Sequence, residues 1–319
     1  MFTAEQLDVT LITFNRKPFL EETLKKIFAD DSPIKNCSVT VYDNHSNDGS
    51  KELLEEYASR YANLKPVFSP RNIGLSGNIC KALINSSKEY VWILCDNDEI
   101  KWENWSGVEK GLQEGHDIVL ASRFYIPSGC KISVGQKLAQ LTFLPSGIYK
   151  TKYLTDFVTA WMVNDTFTVL PHLVLACQIV NEGADIYVPE KSVVLMKENP
   201  ELQADKILEK AETLDRTGSK KRHPKANFYC FESCEVNACS ILDNKQYCRE
   251  MIDAFSDINK RNGWGPGFLT KRALRWYVKG EIAWSNLMDI YPILTGKEKC
   301  QFWCHYIRYF LKYKIFRCK

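Results

Sequence analysis

Two carboxylates one residue apart follow a short apolar run in the first third of the chain. The β-branched and aromatic residues at 90–95 predict a buried strand, and Asp96-Asn97-Asp98 comes directly after it. Ligands of open α/β sheets bind outside the carboxyl ends of the strands. Carboxylates placed there are suited to hold a hard divalent cation, Mg²⁺ or Mn²⁺, that keeps other ligands such as a diphosphate. The alternative is a polar loop whose three side chains are solvated.

Two earlier segments are predicted to reach the same edge of the sheet. Thr13 and Asn15 lie at the end of the first predicted strand, and Asp43 follows the second, where it begins the polar stretch 43–50. A carboxylate in the position of Asp43 can accept a hydrogen bond from the imide of a nucleobase. The last residues of the polar stretch also have the types expected of a turn and a helix N-cap.

A loop with two glycines, residues 70–78, lies between these segments. Its glycines let the backbone turn tightly and approach a ligand closely. A helix beginning near Gly74 or Ser76 would offer unpaired N–H groups to a phosphate, and the Arg71 guanidinium could bind phosphate through two parallel hydrogen bonds. Such a loop is weak support by itself, and the order and spacing of all these segments are the stronger observation.

The elements that position these residues alternate between strand and helix. Apolar runs and helical spacing predict strands at 8–14, 38–42, 64–69 and 90–95, with helices at 18–28, 50–61 and 74–87. This alternation predicts an α/β fold with a mostly parallel sheet and helices on both faces.

The second half of the chain has a looser pattern. Strands are predicted at 117–121, 148–150 and 185–188, and a helix at 166–182 is predicted to bend near Pro171. From residue 202 onward the pattern is helical throughout. The change in composition near residue 200 predicts a domain boundary, which separates a catalytic domain at 1–200 from a helical C-terminal domain at 201–319.

In order and spacing, the polar segments resemble those of the family 2 glycosyltransferases. The matching stretches are 9–15, 43–50, 72–74 with Gly77-Asn78, and 92–98. The resemblance implies the GT-A fold, which is a Rossmann-like sheet, and a nucleotide-sugar donor. Within the family, the chain looks most like the bacterial abequosyltransferase-type enzymes that build O-antigen or capsule repeat units.

The resemblance also assigns expected roles to residues. It implies that Asp43 binds the base of the donor and that Asp96 and Asp98 serve the metal and the diphosphate. The full set expected to bind the donor comprises Thr13, Asn15, Asp43, Arg71, Asn72, Gly74, Asn78, Asp96 and Asn97. The implied reaction inverts the anomeric centre, with a UDP-sugar favoured and dTDP-, CDP- and GDP-sugars open. The implied acceptor is a glycan or a lipid-linked saccharide.

One departure from the family pattern concerns the catalytic base. The family usually places a Glu-Asp pair before a glycine that precedes a strand and a Val-Pro-Glu, and this chain has that frame in Gly183 and 188–190. Pro171-His172 stands where the pair is expected. A neutral imidazole can remove a hydroxyl proton near pH 7, so His172 is the first candidate for the base. Asp165, seven residues earlier, is the second. The alternative for His172 is a structural histidine hydrogen-bonded to the backbone.

Two other functions are compatible with the sequence. A catalytically silent member of the family could bind nucleotide-sugars as a scaffold subunit, and the missing Glu-Asp pair is its only support. A sugar nucleotidyltransferase would also use a Rossmann-like sheet and a divalent metal. It would normally have a glycine-rich basic loop after the first strand, and residues 13–18 contain no glycine.

Composition restricts the partners and the compartment. A net charge of +3 over 319 residues does not predict a nucleic-acid partner. No apolar run reaches the roughly 18 residues of a membrane span, and the first residues do not form a secretory signal. The 12 cysteines are scattered as single residues, and those at 230–248 lack the paired spacing of zinc modules. We therefore expect reduced thiols and a cytoplasmic protein.

The segment 297–319 has an amphipathic pattern of its own. One side of the predicted helix carries aromatic residues and another carries basic ones. The aromatic residues are Phe302, Tyr306, Tyr309, Tyr313 and Phe316, and the basic ones are Arg308, Lys312 and Lys319. This pattern suits docking onto the catalytic domain or a second subunit of a homo-oligomer. It equally suits peripheral contact with the inner leaflet of the cell membrane.

Overall fold

The computed structural model describes residues 2–123, 132–164, 170–196, 241–261 and 291–312, together with positions 274, 284 and 288. The strands are β1 Leu7–Thr13, β2 Ser38–Asp43, β3 Leu64–Phe68, β4 Tyr90–Cys95, β5 Glu99–Ile100, β6 Ile118–Leu120, β7 Gly147–Lys150, β8 Ile186–Tyr187 and β9 Val194–Leu195. The helices are α1 Lys17–Ile27, α2 Ser50–Arg60, α3 Gly74–Ile84, α4 Trp105–Gln113, α5 Val134–Gln140, α6 Asp156–Asn164, α7 His172–Asn181, α8 Lys245–Arg261 and α9 Gly296–Phe310.

Seven strands form the main sheet in the order β3-β2-β1-β4-β7-β6-β8. The first four strands pair in parallel, while β7 runs antiparallel to both of its neighbours. The predicted mostly parallel sheet is therefore confirmed. Since β1, β2 and β4 are parallel neighbours, their carboxyl ends meet at one edge of the sheet.

Helices cover both faces of the sheet because alternate strand residues point to opposite sides. In β4, Trp92 packs with the core under α1, α2 and α4, whereas Val91 and Ile93 pack with the core under α3, α5 and α7. All three side chains are fully buried. This double burial explains why β4 reads as a continuous apolar run rather than an alternating one.

Two features in the middle of the chain differ from the sequence-based predictions. The helix predicted to bend at Pro171 instead begins at His172, with Pro171 at its N-cap, because proline is suited to helix starts and not to interiors. Its predicted first residues, 166–169, lie outside the described part. The second difference is a small antiparallel pair, β5 with β9, which the sequence analysis did not predict.

The described C-terminal helices pack against the first half of the chain. Buried residues of α8, such as Met251, belong to the same core as Leu138 in α5. Glu250 accepts a hydrogen bond from the backbone N–H of Gly135 at 3.1 Å, and Arg249 forms an ion pair with Glu298 of α9 at 2.7 Å. The predicted boundary near residue 200 and the Cys230–Cys239 segment lie outside the described residues. Within the described part, no helix is long and apolar enough to cross a membrane.

Candidate functional site

Residues that the sequence analysis predicted to bind a ligand or a metal lie at the carboxyl edge of β1, β2 and β4. Thr13 is in register with Asp43, and Ile12 is in register with Cys95, which directly precedes Asp96. Parallel pairing therefore brings together segments that are about 30 and about 80 residues apart in the chain. This is the edge where open α/β sheets bind ligands.

Asp96 is held by two residues at the end of β1. Thr13 Oγ1 donates a hydrogen bond to Asp96 Oδ2 at 2.9 Å, and Arg16 Nε forms an ion pair with Oδ1 at 2.8 Å. Asp96 is 4% exposed. Burial raises the pKa of its carboxyl, and the Arg16 charge and the Thr13 hydrogen bond oppose that shift. Both oxygens of Asp96 thus have protein partners, and Arg16 is a site residue to which the sequence analysis gave no role.

Asp98 has a different environment. It is 6% exposed, and its buried Oδ2 has no hydrogen-bond partner. Burial, together with the nearby Asp96 carboxylate, raises the pKa of Asp98 to about 7. A buried carboxylate oxygen without a partner is costly, and a cation beside it would favour the ionised form. Asp98 offers a carboxylate oxygen without a partner, which is the kind of ligand atom that Mg²⁺ and Mn²⁺ prefer. Both oxygens of Asp96, in contrast, already contact Arg16 or Thr13.

Asp98 and Asp96 would supply only part of a metal's coordination shell. Among the described residues, no group of three or more His, Cys, Asp or Glu side chains is arranged to hold a metal ion. Both Mg²⁺ and Mn²⁺ accept oxygen ligands from substrate phosphates and water in addition to carboxylates. Mg²⁺ or Mn²⁺ bound beside Asp98 would therefore need further oxygen ligands from phosphates or water.

Asp43 presents a second buried oxygen without a partner. Asp43 is 2% exposed, and its Oδ2 accepts a hydrogen bond from the backbone N–H of Ser46 at 3.1 Å. Its Oδ1 is buried and has no hydrogen-bond partner. Beside it, the Asn78 amide donates to the backbone carbonyl of Tyr42 at 3.0 Å, which ties α3 to the end of β2. Asp43 can therefore accept one further hydrogen bond.

Asn15 fastens the loop that follows Asp43. Its backbone N–H donates to Ser46 Oγ, and its side-chain oxygen accepts from the backbone N–H of Asn47, both at 2.8 Å. Asn15 and His45 adopt left-handed backbone conformations, with φ of 52° and 70°. Asp48 accepts hydrogen bonds from the backbone of Lys17 and Ser50. The polar stretch 43–50 is thus an ordered turn fixed to the end of β1.

Asn44 is a central residue of the site that the sequence analysis missed. Its Nδ2 donates to Asn72 Oδ1 at 2.8 Å and to the Gly74 carbonyl at 3.2 Å, and its Oδ1 accepts from the backbone N–H of Ile73 at 2.9 Å. Asn72 Oδ1 also accepts from Gly74 N–H, and Gly74 has φ of 77°, which favours glycine. The only sequence signal for Asn44 was its position beside Asp43 at a strand end.

For the nucleotide-sugar that the family resemblance implies, the substitution Asn44→Ala is expected to raise the KM about tenfold with kcat within about threefold, because it frees the 72–74 loop. Steady-state kinetics would measure this split. Asn85→Ala is the matched control, since its side chain bonds the Lys81 carbonyl and the Tyr42 hydroxyl, neither of which belongs to the 72–74 loop. An equal fall in kcat and kcat/KM would contradict a positioning role for Asn44.

The remaining predicted residues occupy three different settings. Arg71 is exposed in the loop before α3, and Asn97 is partly buried in the turn between Asp96 and Asp98. Asp165 lies outside the described residues. His172 is fully buried at the start of α7, and its Nε2 lies 2.7 Å from the Leu141 carbonyl. The structure therefore brings Asp43, Asn72–Gly74 and the acidic triplet together and places His172 in the core.

The imidazole of His172 is neutral at physiological pH. Burial lowers its pKa to about 4, although the hydrogen bond to Leu141 opposes that shift. A carbonyl oxygen can only accept a hydrogen bond, so Nε2 of the neutral ring carries the proton that it donates to Leu141. The other nitrogen, Nδ1, is then a buried hydrogen-bond acceptor without a partner. With no exposed surface, the ring is not accessible to solvent in this conformation.

Residues 8–175 match the model of glycosyl transferase family 2, and this match covers more than half of the chain. The chain belongs to glycosyl transferase family 2. Abequosyltransferase RfbV of Salmonella typhimurium is 26% identical over 114 residues, which are 35% of this chain and 34% of that protein. The GalNAc(5)-diNAcBac-PP-undecaprenol beta-1,3-glucosyltransferase of Campylobacter jejuni is 27% identical over 181 residues, which are 56% of this chain and 55% of that protein. The chain thus spans a third to about half the length of these relatives.

Solved structures agree with this assignment at the level of fold. The crystal structure of S. aureus TarS 1–349 has a TM-score of 0.59 at 15% identity, over 97% of this chain and 91% of that chain. The same TarS segment in complex with UDP has a TM-score of 0.57 at 14% identity. The expected family and the GT-A fold of this family 2 protein are therefore confirmed.

Proposed function

We propose that this protein is a metal-dependent, inverting glycosyltransferase that uses a nucleotide-diphosphate sugar, with UDP-sugars favoured. The observation that carries the proposal is the pair of buried carboxylate oxygens without partners, Asp43 Oδ1 and Asp98 Oδ2, at or just after the ends of β2 and β4, the two strands that flank β1. One is suited to a nucleobase imide and the other to a cation. A nucleotide diphosphate with a divalent metal satisfies both, and the UDP complex of the TarS structure is consistent with such a donor.

Each part of the proposed donor has a set of residues suited to it. Asp43 accepts the imide N–H of the base, while Thr13, Asn15, Asn78 and Asn97 shape the surrounding walls. Arg71 and the 72–74 loop face the phosphates, for which a guanidinium and backbone N–H groups are suited. Asp98, with Asp96 beside it, holds Mg²⁺ or Mn²⁺, which when bound neutralises the charge of the leaving diphosphate. The protein's own contribution is then mainly orientation of donor and acceptor.

The catalytic base belongs to the proposal as well. The reaction requires a group that removes the proton from an acceptor hydroxyl. His172 was the first candidate from the sequence, and its complete burial argues for a structural role instead. We therefore favour Asp165, the second candidate, as the base.

The proposed acceptor is a glycan or a lipid-linked saccharide in bacterial surface polysaccharide synthesis. Support comes from the names of the relatives, since one is an abequosyltransferase and another acts on an undecaprenol-linked saccharide. A silent scaffold subunit is the second candidate function, and the buried His172 in place of the Glu-Asp pair favours it. Slow metal-dependent hydrolysis of a UDP-sugar without acceptor would exclude the scaffold, because a silent member binds without turnover.

A thermal-shift series with nucleotide diphosphates and Mn²⁺ tests the donor site. UDP with Mn²⁺ is expected to raise the melting temperature by about 5 °C at about 100 times Kd, and UDP without metal is expected to do less. Asp43→Asn should weaken UDP binding about 30-fold, the loss of a charge-assisted hydrogen bond. The same substitution should raise the affinity for CDP relative to that for UDP, because the asparagine amide can donate a hydrogen bond to cytosine N3 and the aspartate carboxylate cannot. If no nucleotide diphosphate stabilises the protein, the donor site is wrongly assigned.

A further inference from the structure

Helix α9 has two apolar faces, of which one packs against the protein. Phe302 is fully buried, and Tyr306 and Tyr309 lie partly buried against the same core. The sequence analysis had placed these aromatics on the face available for docking. In the described part, that face is covered by the protein itself, while Tyr313, Phe316 and Lys319 lie outside the described residues.

The other apolar face of α9 is open. Trp303, Ile307, Phe310 and Leu311 are 42%, 56%, 40% and 39% exposed. Their spacing of i, i+4, i+7 and i+8 places them on one continuous arc of the helix. Exposed apolar side chains grouped in this way on a single helix mark an interaction surface rather than scattered surface residues.

Trp303 is held in place on this open face. Its Nε1–H donates to the hydroxyl of Tyr291 at 2.9 Å, and its ring meets those of Tyr291, Phe302 and Tyr306 edge to face. The side chain therefore has a satisfied polar group and a fixed, partly exposed apolar surface. Tryptophan in such a setting is suited to the boundary between water and lipid.

Basic side chains border the open face. Of the charged residues at 296–312, Lys297, Lys299, Arg308 and Lys312 are basic, and the acidic Glu298 is paired with Arg249 of α8. On the helical arc, Lys299 borders one side of the apolar row, and Lys297 and Arg308 border the other. Basic residues at the rim of an exposed apolar arc characterise helices that lie in the interface of anionic membranes.

We propose that the open face of α9, formed by Trp303, Ile307, Phe310 and Leu311, docks onto a membrane of anionic lipids. A second copy of the chain is a poor occupant, because a two-fold contact would bring the same basic strip against itself, and Glu298, the acidic residue of α9, is already paired with Arg249. Docking does not require catalysis, so it stands independently of the proposed transfer.

Co-sedimentation of the full chain with vesicles, without nucleotide, tests the proposal. The protein is expected to bind phosphatidylcholine vesicles that contain about 30% phosphatidylglycerol, and to bind pure phosphatidylcholine at least tenfold less. Ile307→Ser with Leu311→Ser should lower partitioning about tenfold. Lys297→Gln with Arg308→Gln should lower it by a similar factor on anionic vesicles only.

Two matched double variants control for general loss of apolar surface or charge. Phe157→Ser with Val163→Ser removes two exposed apolar side chains from α6, and Lys25→Gln with Lys110→Gln removes two exposed charges from α1 and α4. Both should bind like the wild type, with folding of every variant checked by circular dichroism melting. Equal binding by the Ile307/Leu311 variant, or no binding by the wild type, would overturn the proposal. So would light scattering that shows a dimer which this variant dissociates.

Discussion

Asp98→Asn is expected to lower metal-dependent transfer about a thousandfold and, in the metal-free protein, to raise the free energy of unfolding by about 2 kcal/mol. Both effects follow from one observation, the buried carboxylate whose Oδ2 has no partner. With metal and donor bound, the negative charge of Asp98 would stabilise the cation. Without them, it is a buried charge next to that of Asp96, and a neutral amide removes the repulsion. A residue needed only for packing would lower stability when changed.

The sign of the pH dependence follows from the direction of the shift. The pKa of Asp98 rises from 3.8 to about 7 on folding, so the folded state holds a proton that the unfolded state releases. The contribution of Asp98 to stability is therefore greatest below about pH 4 and is lost as pH rises toward 7. Thermal melting in chelator across this range should show the decline in the wild type and a smaller one in Asp98→Asn.

Glu99→Gln is the matched control for this experiment, because it makes the same change at the next position on an exposed side chain. It should leave both transfer and the pH dependence of melting unchanged. Transfer by Asp98→Asn at the wild-type rate, with Mn²⁺ still required, would remove Asp98 from the metal site. The same rate with no metal requirement in either protein would contradict the metal-dependent mechanism itself.

The grouping of polar residues at the carboxyl edge of β1, β2 and β4 was largely predictable from the sequence because these residues directly follow strands. Asp43 and the acidic triplet end apolar runs, and a parallel sheet must bring such ends together. The partners of these residues were not predictable in the same way. The contacts of Asp96 with Thr13 and Arg16 join positions about 80 residues apart, and Asn44 bonds the 72–74 loop across about 30. Local sequence patterns do not predict side-chain contacts between residues so far apart in the chain.

Burial was the second property that sequence patterns could not decide. His172 stands at a family position for catalysis, yet the first turn of α7 packs it against the Leu141 carbonyl. Helix α9 shows the same limit. Its sequence has apolar residues on more than one side, and only the position of the core determines that Phe302 is covered while Ile307 is exposed. Amphipathic spacing predicts that a face will be buried but not against what.

His172→Gln is expected to keep transfer within about threefold of the wild type, whereas Asp165→Asn is expected to lower kcat about a thousandfold with little change in donor KM. Glutamine can reproduce the donation of Nε2–H to the Leu141 carbonyl, so the variant should also fold. His172→Ala loses that bond and leaves a cavity, and its free energy of unfolding should fall by about 2–3 kcal/mol. A loss above about a hundredfold in folded His172→Gln would return the base role to His172.

The pH dependence of stability separates the structural role of His172 from a catalytic one. Its pKa falls from 6.5 to about 4 on folding, so the unfolded state takes up a proton that the folded state refuses. The stability that depends on neutral His172 is therefore present above about pH 6.5 and is lost as the pH falls toward 4. This slope is opposite to that of Asp98 in the same pH window. In chelator, His172→Gln should remove the loss on acidification and leave the Asp98 slope, whereas Asp98→Asn should do the reverse. If His172→Gln melts with the wild-type pH dependence, the imidazole is not buried in its neutral form and its assignment as a core residue fails.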